Sequence, residues 1–492
     1  MTGLATAYWL RRSGVSDVLV LEQRDGLAHG ATGRNGGHCW PSFTPFSESK
    51  LELYGREEEA RLSEFKKQNF ELIKEFIATH DVSCDFCSHG CLELARHESE
   101  AVFLKDYMEQ VKATNPDLGL EWWDKEKCEQ EAHSPSFLGG STSPPRRPSN
   151  PAKEEEARLS EFKKQNFELI KEFIATHDLE LARHESEAVF LKDYMEQVKA
   201  TNPDLGLEWW DKEKCEQEAH SPSFLGGLYQ PTAASFYPAK VVYALAREAR
   251  KLGGVQIMTN TPVLDITEDQ PHHYRLRTAN GGEVTTSCVV HATNAWAPAL
   301  ALITSPISQL RWLRNLAFDD GFQYMIQRED GRIVLGGMRW VTPTKERDTL
   351  DDSICVREIS EKLHEFLEEN FPSLQEDKGQ GVGEGKIPFR VEHEWTGIMA
   401  YSKDGAPLVG PLTPLAPLEG GVRAGQYIGA GYTGNGMANC FAAGKSLAEM
   451  ISGQLQPEDC IQCLLPSRFF DDAKRREIER QAEEEDDDNE WY

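Results

Sequence analysis

The first 22 residues of this sequence restrict the possible fold more than any other segment. Gly3–Arg12 has its apolar residues on one side of a predicted helix. Val18–Leu21 is an unbroken apolar run, which indicates a strand buried on both faces of a parallel sheet. Glu22 follows, where dinucleotide-binding βαβ units carry the acidic residue that accepts hydrogen bonds from a ribose. The segment therefore predicts a Rossmann-type unit in which Gly3 is the third glycine of G-x-G-x-x-G and the first strand is apparently missing.

Length, charge and hydropathy narrow the class of protein further. The chain has 492 residues and a formal net charge of −28. Nucleic acid and anionic membranes are therefore not expected partners, because binding to them needs clustered Lys and Arg. Residues 482–490 form an acidic tail, and no apolar run reaches the roughly 18 residues of a transmembrane helix. These features predict a soluble, cytoplasmic protein.

The cysteines leave two interpretations open. Eleven cysteines in a chain of this length do not make a disulfide framework. Two groups have spacings found in metal sites, Cys84-Cys87-His89-Cys91 and Cys460-Ile461-Gln462-Cys463. A zinc site would require their ligands to converge in space. Free thiols in a reducing compartment are the preferred interpretation, and no metal is expected.

An exact internal duplication interrupts the sequence. Residues 57–81 recur letter for letter as 154–178, and residues 92–140 recur as 179–227. Two perfect copies do not make a solenoid, whose repeats diverge and are needed in larger number. Both copies carry the same amphipathic helix and compete for one docking surface. Its apolar face in the first copy is Leu62, Phe65, Phe70, Ile73, Phe76 and Ile77. The preferred interpretation is a recent tandem duplication or a misassembled coding sequence, with residues 141–227 as the surplus.

Three further motifs have the residue types of a ligand site. The loop 30–38 has four glycines, which allow close backbone approach and supply amide donors for phosphate, although a surface loop can be equally rich in glycine. The predicted strand 287–292 ends in Thr293 and Asn294, and open α/β sheets bind ligands at such strand ends. The turn 431–436 precedes a predicted helix over 437–451. A helix N-terminus there would stabilise negative charge on a ligand, unless the segment is an ordinary strand–turn–helix connection.

In this order the motifs resemble the D-amino-acid-oxidase-like superfamily of FAD-dependent oxidoreductases, nearest the gamma-glutamylputrescine oxidase-like branch. The resemblance covers nearly the whole chain apart from residues 141–227 and the acidic tail. It rests on Thr2–Tyr8, Val18–Glu22, Ala31–His38, Val289–Asn294, Glu394–Ile398, Lys403–Pro407 and Gly431–Met437. Together these motifs point to the superfamily, and none of them identifies a substrate.

The resemblance implies an α/β fold in two parts. A Rossmann-type FAD-binding domain is expected from residues 1–45, 235–300 and 395–458. A second, α+β substrate domain on a mixed or antiparallel sheet is expected from residues 46–234 and 301–394. Residues 459–492 are then a C-terminal extension that ends in the acidic tail.

The resemblance also implies the residues around FAD, with adenosine at Gly3 and Glu22 and the flavin ring between residues 32–38 and 431–437. The expected cofactor-binding residues are Gly3, Leu4, Glu22, Gln23, Ala31, Thr32, Arg34, Asn35, Gly36, Gly37, Val263, Thr293, Asn294, Gly431, Thr433, Gly434, Asn435, Gly436 and Met437. The candidates for catalysis or substrate contact are His38, Tyr432, Tyr324 and Arg339. His38 is expected as a hydrogen-bonding neighbour of the flavin rather than a base. For Tyr324 and Arg339, core packing or surface pairing is the alternative role.

The implied activity is oxidation of a C–N bond in a small amine or amino acid, with hydride transfer to flavin N5. In the oxidase members O₂ then reoxidises the flavin and gives H₂O₂, so O₂ is the expected acceptor. Two alternatives remain open. One is a dehydrogenase that uses another electron acceptor. The other is a non-catalytic or misassembled relative without FAD, which the apparently missing strand and the duplication motivate. Substrate identity and oligomeric state are open.

Overall fold

Helices and strands in the computed structural model form a mixed α/β fold. The structure describes residues 1–40, 48–88, 91–95, 208–211, 217, 220–221, 226–230, 233–294, 297–307, 312, 315–318, 323–343, 351–379, 381–402, 404–418 and 421–470. The helices are α1 (Thr2–Arg12), α2 (Ala31–Arg34), α3 (Glu48–Thr79), α4 (Pro238–Lys251), α5 (Arg357–Asn370) and α6 (Cys440–Ile451). The first eleven strands are β1 (Val18–Leu21), β2 (His38–Cys39), β3 (Cys91–Ala95), β4 (Glu208–Asp211), β5 (Gly226–Gln230), β6 (Ala234–Ser235), β7 (Val255–Met258), β8 (Val263–Gln270), β9 (His273–Thr278), β10 (Glu283–Thr286) and β11 (Cys288–His291). They are followed by β12 (Ala297–Thr304), β13 (Asn315–Phe318), β14 (Gln323–Gln327), β15 (Ile333–Gly336), β16 (Leu374–Glu376), β17 (Ile387–Phe389), β18 (Val391–Met399), β19 (Leu408–Pro411), β20 (Ala416–Pro417) and β21 (Arg423–Ala430).

Two groups of parallel strands lie near the N-terminal helix. Strand β1 has the bounds that the apolar run predicts, and it pairs in parallel with β7. Strand β11 pairs in parallel with β21, which also pairs with β19. The antiparallel strands β8, β9 and β10 pack against both groups. In this core, Tyr274 and Leu276 of β9 and Val289 of β11 are buried, and Leu21 of β1 packs against them. Within the described ranges, no strand pairs with the second edge of β1 or of β11.

Helices α1 and α6 cross at very close range beneath these strands. At Gly444 of α6, a Cβ atom would lie 2.6 Å from the Cβ of Ala5 and 2.9 Å from the carbonyl oxygen of Thr2. Only glycine therefore allows this approach, which joins the first turn of α1 to α6. The helix predicted over 437–451 begins at Cys440 instead, because Gly436–Ala438 forms a 3₁₀ turn.

A larger sheet forms the second part of the fold. Its strand order is β18-β12-β15-β14-β13-β3-β5-β4, and only the β13–β3 pair is parallel. Helix α5 packs on this sheet through a second core that includes Leu363, Phe366, Phe318 and Met325. The sheet is therefore mixed but mainly antiparallel, and its strands β12 and β18 run across the predicted boundaries at residues 300 and 395.

The two copies of the duplicated segment contribute different elements. Helix α3 and β3 come from the first copy, whereas β4 comes from the second. All six apolar residues predicted for the face of α3 are at most 8% exposed, which confirms that face. The first copy also has flanking residues that the second lacks, and Tyr54, Val82 and Cys84 pack in the same core. These flanks distinguish the copies for docking, although the shared residues are identical.

Two other sequence features have a structural outcome. None of the helices in the described ranges is long and apolar enough to cross a membrane. Three 3₁₀ turns, Pro457–Asp459, Gln462–Leu464 and Pro466–Phe469, lie at and after the start of the predicted C-terminal extension, and Cys460 and Cys463 are buried free thiols there. His89 of the other cysteine group and the acidic tail lie outside the described residues.

The same substitution in each copy tests which copy docks as α3. Ile73 is 1% exposed, so Ile73→Asp places a carboxylate in the core and should lower the free energy of unfolding by about 4 kcal/mol. Ile170→Asp changes the equivalent residue of the second copy and should alter it by less than about 0.5 kcal/mol. Urea unfolding followed by circular dichroism measures both. Equal destabilisation by the two substitutions, or a larger effect of Ile170→Asp, would contradict the assignment.

Candidate cofactor and substrate site

A cavity of about 1520 Å³ lies between β1 and β11. Residues Val18–Glu22 line one side and Cys288–Asn294 the other. Helix α1 forms its floor, and residues of β8, β9 and β10 line its roof. The carboxyl ends of both parallel strands open into this space, at Glu22 and at Thr293–Asn294. Ligands of open α/β sheets bind at such strand ends.

Glu22 lies at the first strand end, as predicted, with one carboxylate oxygen already occupied. Its Oε1 accepts a hydrogen bond of 2.9 Å from the backbone N–H of Arg24. Within the part of the chain that the structure describes, Oε2 accepts none. The carboxylate is therefore held in place by its own loop. Its second oxygen remains available to accept a hydrogen bond from a donor in the cavity, such as a ribose hydroxyl. Gln23 and Val263 also line the cavity.

The N-terminus of α1 points its unpaired amides at the same space. Met1, Thr2, Gly3 and Leu4 line the cavity. The first intrahelical bond is donated by Ala5, from its N–H to the carbonyl of Met1 at 2.9 Å. The preceding N–H groups have no partner within the helix, and together with the helix dipole they favour a phosphate.

The glycine loop contributes only part of its predicted set. Ala31, Thr32 and Asn35 line the cavity, but Arg34 does not. The Arg34 guanidinium instead donates to the carbonyls of Asp352 and Thr396, at 2.9 and 2.8 Å. Arg34 therefore connects the glycine loop to β18 by a hydrogen bond and does not line the cavity.

Gly36 and Gly37 lie behind the cavity lining, where the loop passes under the large sheet. Gly37 has φ +85°, and a Cβ atom there would lie 2.4 Å from the carbonyl oxygen of Phe236. Glycine is required at this position for both reasons. At Gly36 a Cβ atom would meet the ring of Tyr324 at 2.6 Å.

Asn294 supplies a polar atom without a partner at the second strand end. Its backbone is left-handed, with φ +52°, and its Nδ2 donates to the carbonyl of Ile398 at 3.4 Å. Its Oδ1 is buried and accepts no hydrogen bond from the described residues. An acceptor shielded in this way costs free energy unless a ligand donor or water reaches it. Thr293 and Asn294 both line the cavity.

The turn after β21 closes the other end of the cavity. Tyr432, Gly434, Gly436 and Met437 line it, whereas the remaining predicted residues of the turn, Gly431, Thr433 and Asn435, do not. The Tyr432 hydroxyl hydrogen-bonds the Thr2 hydroxyl at 2.8 Å, so the turn is tied to the first residue of α1. Burial raises the pKa of Tyr432, which keeps the phenol protonated.

A second group of polar side chains lies beside the turn, outside the cavity lining. The His38 and Tyr324 rings meet edge to face, with centroids 5.1 Å apart. Both ring nitrogens of His38 are shielded from solvent, and the backbone groups near enough to interact with them are those of Leu316 and Met325, without good hydrogen-bond geometry. Burial lowers the pKa of His38 to about 4 and raises that of Tyr324 to about 12. Both side chains are therefore neutral at pH 7.

Arg339 belongs to this group through a tyrosine that the sequence analysis missed. Its guanidinium lies 5.1 Å from the ring centroid of Tyr401, a cation–π contact. The Tyr401 hydroxyl lies 3.9 Å from Met399 Sδ and 3.4 Å from the position of a Cβ atom on Gly434. Met399 and Gly434 line the cavity, so the group adjoins it. Tyr401 falls in no recognisable motif, and only its position after β18 could have suggested it.

Taken together, these residues fit FAD. One free carboxylate oxygen and a helix N-terminus face one cavity at the ends of two parallel strands. Asn294 lines the same cavity, and its buried Oδ1 lacks a donor, which a bound nucleotide or water would supply once the side chain turns toward it.

Comparison with known proteins agrees with this chemistry. The family model described as FAD dependent oxidoreductase matches residues 1–153 and 146–450. The probable oxidoreductase OrdL of Haemophilus influenzae is 23% identical over 297 residues, which cover 54% of this chain and 58% of that protein. Gamma-glutamylputrescine oxidoreductase of Escherichia coli is 28% identical over 138 residues, which cover 28% of this chain and 32% of that protein. The chain thus matches little more than half the length of one relative and about a third of the other.

The fold has solved counterparts as well. Glycine oxidase from Bacillus cereus superposes with a TM-score of 0.58 at 15% identity, covering 92% of this chain and 95% of that one. At this identity the likeness shows a shared fold. The family model, in contrast, spans most of the sequence and includes both strand ends that open into the cavity. The chain belongs to the family of FAD-dependent oxidoreductases, whose cofactor is FAD.

Proposed function

We propose that this protein binds FAD in the cavity between β1 and β11 and oxidises the C–N bond of a small amine or amino acid, with O₂ as electron acceptor. The observation that carries the proposal is the shared cavity, onto which Glu22, the α1 N-terminus, Asn294 and the turn after β21 all open. Family membership supports FAD, and the activities after which the relatives are named support the substrate class. The domain boundaries predicted from the sequence are part of the proposal.

Different residues of the cavity bind different parts of the cofactor. The free oxygen of Glu22 accepts from the ribose hydroxyls, and the α1 amides of Gly3 and Leu4 bind the pyrophosphate. Asn294 Oδ1 accepts from a polar group farther along the cofactor. At the other end, the α6 side of the cavity offers the Gly434 and Gly436 backbone to the flavin. When bound, FAD would supply the redox chemistry, which is the two-electron oxidation of the amine carbon to an imine that water then hydrolyses.

The group beside the turn has the properties of a substrate-binding region. Arg339 is the positive charge there, and it is oriented by the face of Tyr401. Such a group binds a carboxylate, which favours amino acids over simple amines. The Tyr324 phenol stays protonated, so its hydroxyl can donate a hydrogen bond to the substrate. His38 is neutral, so it orients by hydrogen bonding rather than by charge.

In more detail, we propose that the nucleotide-binding part is a Rossmann-type sheet in which the strand position between β1 and β11 is empty. Val18 and Glu22 donate to the carbonyls of Gly254 and Met258, each at 2.9 Å, so the alternate peptides of β1 face the cavity. Among the described strands, β11 likewise pairs on one side only. A parallel strand between them would pair both edges. This geometry supports the alternative in which the chain binds FAD weakly, because the empty strand position and the nucleotide site share one cavity.

Purified full-length protein tests the proposed function. We expect visible flavin absorption, and H₂O₂ release with amino acids or amines in the presence of O₂. Protein that takes up no FAD would overturn the proposed function. Substrate-dependent dye reduction without H₂O₂ would identify a dehydrogenase instead.

Two substitutions should separate cofactor binding from substrate binding. Glu22→Gln weakens the ribose contact and should raise the FAD dissociation constant about tenfold, with little change in KM. Arg339→Met should raise KM for a carboxylate-bearing substrate about 30-fold and leave FAD affinity unchanged. Arg328→Met is the matched control, since Arg328 also stacks on a tyrosine, Tyr237, at 5.4 Å. Equal effects of Arg339→Met and Arg328→Met on KM would contradict a substrate role.

His38 should make stability depend on pH over a defined range. Its folded pKa of about 4 lies below the unfolded value of 6.5, so the unfolded state binds more protons between these values. The free energy of unfolding should therefore fall as the pH drops from about 6.5 to about 4, with His38 contributing about 3 kcal/mol. Urea unfolding of wild type and His38→Gln at both pH values measures this. An unchanged pH dependence in the variant would show that His38 is not shielded as described.

A further inference from the structure

A buried ion pair connects the C-terminal 3₁₀ turns to the loop before β19. The Arg468 and Asp404 side chains are 1% and 4% exposed, and the guanidinium donates to both carboxylate oxygens, at 2.5 and 3.0 Å. Arg468 also donates to the carbonyls of Ala406, at 2.8 Å, and Leu465, at 3.1 Å. A guanidinium with this many fixed acceptors holds the loop in a single conformation.

The loop passes this restraint to the turn that lines the cavity. Asp404 Oδ1 accepts from the N–H of Ala406 at 3.2 Å, and the Ser402 hydroxyl donates to the carbonyl of Ala406 at 2.7 Å. The Ser402 hydroxyl also lies 3.4 Å from the Thr433 hydroxyl. The Thr433 N–H donates to the carbonyl of Ala400 at 2.7 Å. Arg468, the loop and the turn thus form one continuous set of hydrogen bonds.

Thr433 needs such support because its backbone is unfavourable. Its φ is +49°, in the left-handed region that a β-branched residue rarely adopts. This conformation directs the following residue, Gly434, into the cavity lining. Without the bond to Ala400 and the neighbouring hydroxyl, Thr433 would relax toward negative φ and move Gly434.

We propose that Arg468 is a positioning residue for the cofactor site: through Asp404 and Ser402 it holds Thr433 left-handed and thereby sets the Gly434–Gly436 backbone against the flavin. The inference rests on the proposed function for its ligand, FAD. It also changes the role of the segment that the sequence predicted as a C-terminal extension, since one of its residues acts on the cavity.

Variants of this chain of contacts separate positioning from folding. Arg468→Met leaves Asp404 buried without a countercharge, which endangers folding. The double variant D404L/R468M removes both charges and should restore folding but not the loop contacts. Ser402→Ala removes one hydroxyl in the middle. Arg332→Met is the control, because Arg332 also binds two carboxylates, those of Glu392 and Asp330, but at a distant edge of the large sheet.

Hydrogen exchange of the Thr433–Gly436 amides in the cofactor-free protein is the first measurement. We expect faster exchange in S402A and D404L/R468M and no change in R332M. FAD titration of the same proteins should show a dissociation constant raised about tenfold in D404L/R468M and less in S402A, with a more negative flavin midpoint potential. R468K should fall between wild type and the double variant.

The outcomes distinguish the inference from the proposed function. Turn amides that exchange at the wild-type rate in both S402A and D404L/R468M would overturn the positioning role, whether or not FAD binds. Faster exchange with wild-type FAD affinity and potential would also overturn it, because the turn would then not act on the cofactor. Wild-type protein that takes up no FAD would overturn the proposed function, while the exchange rates would still decide whether Arg468 holds the turn.

Discussion

The close crossing of α1 and α6 is the contact on which the rest of the cavity depends. Gly444 lets the two helices approach until a methyl group would clash with Ala5. Because of this approach, the first turn of α1 and the turn before α6 reach the same space, and the Thr2–Tyr432 hydrogen bond can form. Asn69 of α3 strengthens the arrangement, since its Oδ1 accepts from the N–H groups of Phe441 and Ala442, at 2.9 Å each. A residue of another helix therefore caps α6.

Local patterns were enough to predict the elements that border the cavity. The apolar run at β1 and the acidic residue after it depend on neighbours in sequence, and both lie where they were expected. Fourteen of the predicted cofactor and catalytic residues line the cavity: Gly3, Leu4, Glu22, Gln23, Ala31, Thr32, Asn35, Val263, Thr293, Asn294, Tyr432, Gly434, Gly436 and Met437. The family resemblance named these residues, and small and polar residues mark many of the strand ends and turns on which they lie.

Side chains whose direction depends on distant partners could not be predicted. Arg34 turns away from the cavity because Asp352 and Thr396 accept its hydrogen bonds, and nothing in the glycine loop indicates those partners. The role of Tyr401 depends on the Arg339 guanidinium over its ring. The role of Arg468 depends on the carboxylate of Asp404, 64 residues away in the chain. For the duplication, the sequence favoured residues 141–227 as the surplus, although the repeated residues themselves are identical. The unique flanks of α3 give a structural reason to prefer the first copy, through their packing.

Among the described strands, β1 and β11 each have one edge without a partner, and these edges also determine what fills the cavity. Peptide groups buried without partners are costly, so water must hydrate the alternate N–H and C=O groups that face inward. Hydration of these groups makes the cavity polar along the strand edges, although apolar side chains of β1 and β11, which are mostly only partly buried, also line it. Any molecule that enters must replace those water contacts with its own. The heat released on binding will then reflect displaced water as much as new contacts with the protein.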